Sequence, residues 1–179
     1  MRIISGQYKG RAIKMPKGIR PTQNKVRKAI FDILGDIEGL SFLELFSGSG
    51  AVGFEAVSRG AQELALVEYN RDCQLAIKKN IESLQLKSCT LYPKEAGAAI
   101  KLLEREKKKF NIIFLDPPYR LGIVKKILLN LSDYDILAPN GFLVVQHDKK
   151  DILPDALGVF GLIKKSVYGD TILSFYKKH

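Results

Sequence analysis

Tryptophan is absent from this 179-residue chain, and cysteine and histidine occur only twice each. Cys73 and Cys89 have neither metal-site nor redox-pair spacing, so they predict small, partly buried thiols in a reducing compartment. His147 and His179 stand too far from other ligating groups to suggest a metal centre or a nucleophilic triad. No bound metal is expected. Long apolar runs are missing too: each is far short of the ~20 residues that span a bilayer, and the N-terminus has no hydrophobic signal core. These absences predict a cytoplasmic protein that avoids membranes. Acids are lacking from residues 1–30, which hold nine Lys or Arg. The rest of the chain carries 20 bases against 19 acids, so nearly all of the formal +10 charge lies in that N-terminal segment.

What is present centres on Gly48-x-Gly50-x-x-Gly53. It follows the short apolar run Ser41 to Phe46, suited to a buried strand, and opens a helix predicted over Ala51 to Arg59. The missing side chains let a ligand reach the backbone, with helix-start amides facing it. Glu63 to Glu68 is a second short strand, and its terminal acid lies twenty residues past Gly48. A carboxylate there can accept hydrogen bonds from both ribose hydroxyls of a nucleotide cofactor. A nicotinamide enzyme would show the same two features.

Asp116-Pro117-Pro118-Tyr119 separates the possibilities. It follows a third buried-strand run, Phe110 to Leu115, and the proline pair cannot continue a central strand. The motif therefore lies at a strand's carboxyl end, where open α/β sheets bind ligands. The Asp116 carboxylate and Pro117 carbonyl offer two acceptors to an exocyclic base amine. Tyr119 offers a flat face on which an extruded base can stack. A sulfonium methyl donor carries its own leaving group and needs no metal.

Together these motifs resemble the class I S-adenosylmethionine-dependent amino-methyltransferases of nucleic acid bases. More narrowly, the chain resembles the RsmD family, bacterial enzymes that methylate a guanine N2 in 16S ribosomal RNA. That resemblance runs through Arg2-Ile3-Ile4-Ser5-Gly6 with Lys9-Gly10-Arg11, and Arg20-Pro21-Thr22 with Val26 to Phe31. It continues through Leu45 to Gly53 with Ser58-Arg59-Gly60-Ala61, and then the Asp-Pro-Pro-Tyr. The chain departs from the commonest pattern at four positions: Glu44 for Asp, Lys94-Glu95 for Gly-Asp, and Gln146 for an acid. The resemblance implies S-adenosylmethionine as cofactor, with Phe46, Ser47, Gly48, Gly50 and Gly53 forming its loop. Glu44 would approach the methionine end, Glu68 the ribose, Glu95 the adenine amine, and Thr22 would lie nearby. Asp116 and Pro117 would orient the target amine and Tyr119 would stack the base.

The implied fold is α/β and Rossmann-like: a mostly parallel seven-stranded sheet with a C-terminal antiparallel hairpin. The pattern predicts a basic N-terminal extension over residues 1–22, ahead of a methyltransferase domain over 23–179. Arg2 to Ser5 and Arg11 to Lys14 read as arms of a β-hairpin, and Thr22 as the N-cap of the following helix. Val26, Ala29, Ile30, Ile33 and Leu34 mark that helix's buried stripe. Arg2, Lys9, Arg11, Arg20, Lys25, Arg27 and Lys28 are the residues expected to meet RNA phosphates. Near the C-terminus, Leu157 to Val167 and Thr171 to Tyr176 read as paired strands turning at Gly169-Asp170. The expected partner is small-subunit ribosomal RNA, free or assembled, and the expected state is monomeric. Three alternatives stay open: an adenine-N6 methyltransferase on DNA or RNA, a non-catalytic RNA-binding protein with a vestigial cofactor site, and a nicotinamide enzyme.

Overall fold

Alternation decides which face of each strand meets which helices. In the computed structural model, which describes residues 1–16, 18–19, 22–118 and 122–178, the central strands are apolar on both faces and are covered on both. They are β1 (Ser41–Leu45), β2 (Glu63–Val67) and β4 (Phe110–Leu115), with the less buried β3 (Cys89–Tyr92) at the sheet's edge. Leu43, Leu45, Ile113, Leu115, Leu143 and Val145 pack under α4 (Ala96–Arg105) and α5 (Ile123–Asp133). Their neighbours Phe42, Leu64, Leu66, Ile112, Phe114 and Val144 face the other layer. That layer is α1 (Asn24–Leu34), α2 (Ala51–Ser58) and α3 (Arg71–Leu84). Burial on both faces is what requires such strands to read as continuous apolar runs.

β5 (Leu137–Asp148) and the C-terminal strands β7 (Phe160–Tyr168) and β8 (Thr171–Lys178) complete the seven expected strands, and the two-residue β6 (Ala156–Leu157) adds an eighth at the edge. The sheet order is β3-β2-β1-β4-β5-β8-β7-β6. The first five strands pair in parallel; β8, β7 and β6 join antiparallel, with the β7–β8 turn at Gly169 and Asp170 as expected. β5 begins at Leu137, which pairs with Phe110 ahead of a register shift, and reaches Asp148 because β8 continues its ladder to Asp148↔Thr171, beyond the last β4 pair at Val145. α4 stops at Arg105, and Lys107 just beyond it takes a positive φ of 57°.

The order reverses between β1 and β4, which lie side by side with Leu45 opposite Leu115. Phe46 and Asp116 therefore leave the sheet at adjacent tips. This is the switch point at which open α/β sheets form their ligand crevice.

The N-terminal segment differs from expectation in two ways. Its hairpin is reduced to one antiparallel bridge, Arg2↔Ala12, supported by Ile3 N–H to Arg11 O and Ile13 N–H to Met1 O bonds. What holds it is packing, since Ile3 and Ile13 are buried in the core beside α1 and α2. Thr22 is not the cap of α1: Gln23 occupies that position, with no side-chain cap bond. The helix buries Val26, Ala29 and Ile30 as predicted, and also Phe31 and Arg27. Ile33 and Leu34 are half-buried against the same cluster. Among the described residues, no helix is long and apolar enough to cross a membrane.

Candidate active site

β1 ends in a strained turn. Phe46 adopts φ 59°, a left-handed conformation that side chains rarely take, and such strain persists where its surroundings over-determine it. Ser47 provides that support. Its Oγ donates towards the Glu44 carbonyl at 2.7 Å and accepts the Val67 N–H at 3.0 Å, while its own N–H reaches the Val67 carbonyl. The loop is thereby clasped to β2 before Gly48 (φ 53°) and Gly50 (φ 76°) turn the chain into α2.

Gly53 has a different role. A Cβ there would sit 2.7 Å from Leu64 Cδ1 and 2.8 Å from both Leu66 Cδ2 and Glu44 Oε2. Only glycine lets α2 lie this close to the sheet. Gly53→Ala is expected to cost about 1–3 kcal/mol by overpacking, lowering the thermal midpoint by several degrees. A midpoint unchanged in a thermal scan would contradict this close approach.

Two acids border the turn. Glu68 Oε2 accepts the Gly48 N–H at 2.7 Å and its Oε1 accepts the Asn70 N–H at 2.7 Å. Each oxygen keeps a lone pair for a hydroxyl. Glu44 is buried and accepts the Gly53 N–H at 2.8 Å. Burial pushes its carboxyl up to about 8, against the pull of that hydrogen bond and with help from the nearby Asp116 charge.

Asp116 faces them from the β4 tip. Its Oδ2 accepts Gln146 Nε2 at 2.8 Å and the Thr22 hydroxyl at 3.5 Å. Burial raises its carboxyl to about 7, partly offset by those two bonds. Pro117 is buried and Pro118 exposed. Tyr119, like Arg20, lies outside the described residues.

These groups line one cleft of about 500 Å³ that brings together Thr22, Glu44, Phe46, Ser47, Gly48, Glu68, Asp116, Pro117 and Gln146. Gly50 and Gly53 shape it from behind the loop without lining it. Glu95 is elsewhere. It precedes α4, exposed, in a neighbouring hollow of about 390 Å³ whose lining shares Phe46 and Glu68 with the main cleft. Cys73 also lines the main cleft, but burial pushes its thiol up to about 11, so it remains protonated at neutral pH.

Gln146 is the residue whose role the sequence left undetermined. In parallel strands Leu115 pairs with Val145, so the residues that follow, Asp116 and Gln146, emerge together. The strand-end rule that located Asp116 could have located Gln146, had the β4–β5 register been known.

The expected RNA contacts separate into groups. Arg2, Lys9, Arg11, Lys25 and Lys28 are exposed. Arg2 and Arg11 also donate to the carbonyls of Gly10 and Ser83, and Lys25 lies 6.0 Å from the Tyr168 ring centroid. Arg27 is a correction. It is fully buried, donates to the Arg2 carbonyl at 2.6 Å, and pairs with buried Glu55 at 3.6 Å. A phosphate cannot reach it. Helical periodicity puts it outside the apolar stripe, but the N-terminal segment folds across that side of α1.

Comparison with known proteins agrees with this architecture. A family model described as "Conserved hypothetical protein 95" matches residues 1–177. The Bacillus subtilis (strain 168) protein named "Putative rRNA methyltransferase YlbH" is 37% identical over 182 residues, covering 99% of each chain. The Escherichia coli (strain K12) "Ribosomal RNA small subunit methyltransferase D" is 31% identical over 181 residues, covering 99% of this chain and 90% of its own. A solved structure named "Putative methyltransferase yhhF from Escherichia coli" superposes with TM-score 0.88 at 31% identity, covering 100% of this chain and 98% of its own. A glycine turn and an Asp-Pro-Pro motif at adjacent strand tips, in a Rossmann-like fold shared along the whole chain, place this protein in the RsmD family of methyltransferases.

Proposed function

We propose that this protein transfers a methyl group from S-adenosylmethionine to the exocyclic N2 amine of a guanine in 16S ribosomal RNA. The observation carrying this reading is the Asp116 carboxylate, held by Gln146 and Thr22 and opening into the same cleft as the Gly48 turn.

The residues present fit the cofactor. The open face of Gly48 admits a ligand against the backbone: among the described residues only Ile19 Cγ2 comes within 4 Å, at 3.7 Å, of where a Cβ would stand. Glu68 would hold the ribose hydroxyls through its remaining lone pairs, and Glu44 would face the cationic methionine end. Phe46 and Glu68 border both hollows, so a nucleoside could extend towards Glu95. S-adenosylmethionine supplies an electrophilic methyl on a sulfonium that is its own leaving group.

The chain's own groups handle the amine. Both bonds that Asp116 receives from described residues end on Oδ2, so Oδ1 and the Pro117 carbonyl remain to accept the two amine hydrogens. This fixes the nitrogen lone pair along one direction, and such positioning is the main catalytic resource for a weak nucleophile. As nitrogen gains the methyl it loses a proton, which passes to Asp116 or to solvent. Residues 1–22, together with exposed Lys25 and Lys28, would grip the phosphate backbone. Tyr119 would stack the extruded base.

A carboxyl raised to about 7 is protonated at lower pH, where it is a weaker acceptor for the amine and cannot take up its proton. The kcat/KM for RNA is therefore expected to rise about tenfold per pH unit below ~7 and level off above it. A flat profile from pH 5.5 to 9 would remove Asp116's ionisation from the mechanism.

The deciding experiment incubates the protein with labelled S-adenosylmethionine and small-subunit RNA, free and as assembled particles, then digests the RNA for mass spectrometry. N2-methylguanosine is expected. N6-methyladenosine would overturn the base assignment, and no heat on titration with S-adenosylmethionine would mark a vestigial site.

A further inference from the structure

Gln146 carries a buried atom that the mechanism so far does not use. Its side chain lines the cleft at 4% exposure, and its Nε2 donates to Asp116 Oδ2 at 2.8 Å. Its Oε1 is sealed from solvent and has no hydrogen-bond partner among the described residues. The orientation of this amide follows from its neighbour. An ionised carboxylate only accepts, so the amide must present nitrogen to Asp116, and the oxygen is left as a bare acceptor beside it. Buried acceptors are almost always satisfied, and one left without a partner on a side chain that lines a cleft points to a donor still to arrive.

Base chemistry identifies that donor. Among the bases with an exocyclic amine, guanine alone has a ring N–H next to it; adenine and cytosine have an unprotonated ring nitrogen there. An amine seated on Asp116 with its N1 edge turned to the β5 side brings this ring position to the group bound to the same carboxylate. Guanine would offer a hydrogen to Oε1. Adenine would set lone pair against lone pair, which is costly in a site shut off from water.

We propose that Gln146 Oε1 accepts the guanine N1–H and is the specificity-determining group that selects guanine over other amine-bearing bases. This rests on the methyl-transfer reading above and deepens it. Recognition comes from a matched acceptor, and rejection from leaving that acceptor unmet.

The test uses small-subunit particles reassembled with guanine or 2-aminopurine at the methylated position. 2-Aminopurine keeps the amine but has a bare ring nitrogen in place of N1–H. Wild-type kcat/KM is expected to be about tenfold to a hundredfold higher on guanine. Gln146→Leu should lower transfer to both bases, because Asp116 loses the Gln146 donor, but should cost more on guanine, bringing the ratio close to one. Gln146→Glu, which in its protonated form can donate to Asp116 and still present a carbonyl, should retain the preference. The double difference isolates the Gln146–N1 contact from the other change at the 6-position. A wild-type ratio near one overturns the proposal without any variant. So does a ratio that survives in Gln146→Leu, including an equal fall on both bases, which would make Gln146 only a support for Asp116. S-adenosylmethionine titration of each variant reports whether the cofactor cleft is intact. A wild-type protein that methylates no guanine amine fails the methyl-transfer reading itself, whereas guanine methylation with no discrimination fails only the role of Gln146.

Discussion

Asp116→Ala is expected to lower methyl transfer about 10²–10⁴-fold while leaving S-adenosylmethionine affinity nearly unchanged. The loss has two parts. The carboxylate that accepts an amine hydrogen disappears, and the Gln146 amide and Thr22 hydroxyl lose the group that fixes them. Cofactor affinity is spared because the backbone turn at Gly48 and the Glu68 carboxylate are assembled independently on β1 and β2. Initial rates with labelled donor, set beside a calorimetric titration, measure both. Asp116→Asn is a sharper probe. It preserves the shape and one acceptor, but its amide must turn nitrogen either to Gln146, donor against donor, or to the substrate. Transfer within tenfold of wild type in the alanine variant would take Asp116 out of the chemistry.

Glu55→Ala should produce the largest loss of stability. Glu55 is fully buried in α2 and gathers the N-terminal segment onto the fold. It accepts the N–H groups of Ile4 and Ser5 at 2.8 and 3.0 Å and Arg59 Nε at 2.9 Å, and faces Arg27 Nε at 3.6 Å. Arg27 already has Nε and Nη1 without hydrogen bonds among the described residues, and burial lowers its affinity for the proton despite the neighbouring Glu55 charge. Removing Glu55 strands that guanidinium in the core. A broken buried pair costs about 3–5 kcal/mol, a fall of roughly 6–20 °C for a chain of this length. Adding Arg27→Met to Glu55→Ala should recover part of the loss, since a non-polar pair avoids the stranded charge. Weaker RNA binding should accompany the single variant, because the exposed Arg2, Lys9 and Arg11 ride on the segment it releases. A thermal midpoint within 2 °C of wild type would show that the segment is held by Ile3 and Ile13 packing alone.

The sequence by itself determined the alternating β/α order, the positions of β1, β2 and β4, and the two motifs at their ends. Buried parallel strands are short apolar runs, and their ends are punctuated by glycine and proline, so both signals are local. Tertiary structure alone decided the fate of Arg27. Its charge and helical position were compatible with an RNA-facing side chain until a distant segment and the α2 carboxylate closed over it. It decided the same for Thr22, which helix rules made a cap and which instead reaches Asp116 across 94 residues of sequence. Gln146 shows the limit most clearly: its partner is set by the β4–β5 register, and register depends on which strands become neighbours. Residue patterns encode an element's own period and ends, whereas contacts between elements exist only once the sheet order has been chosen.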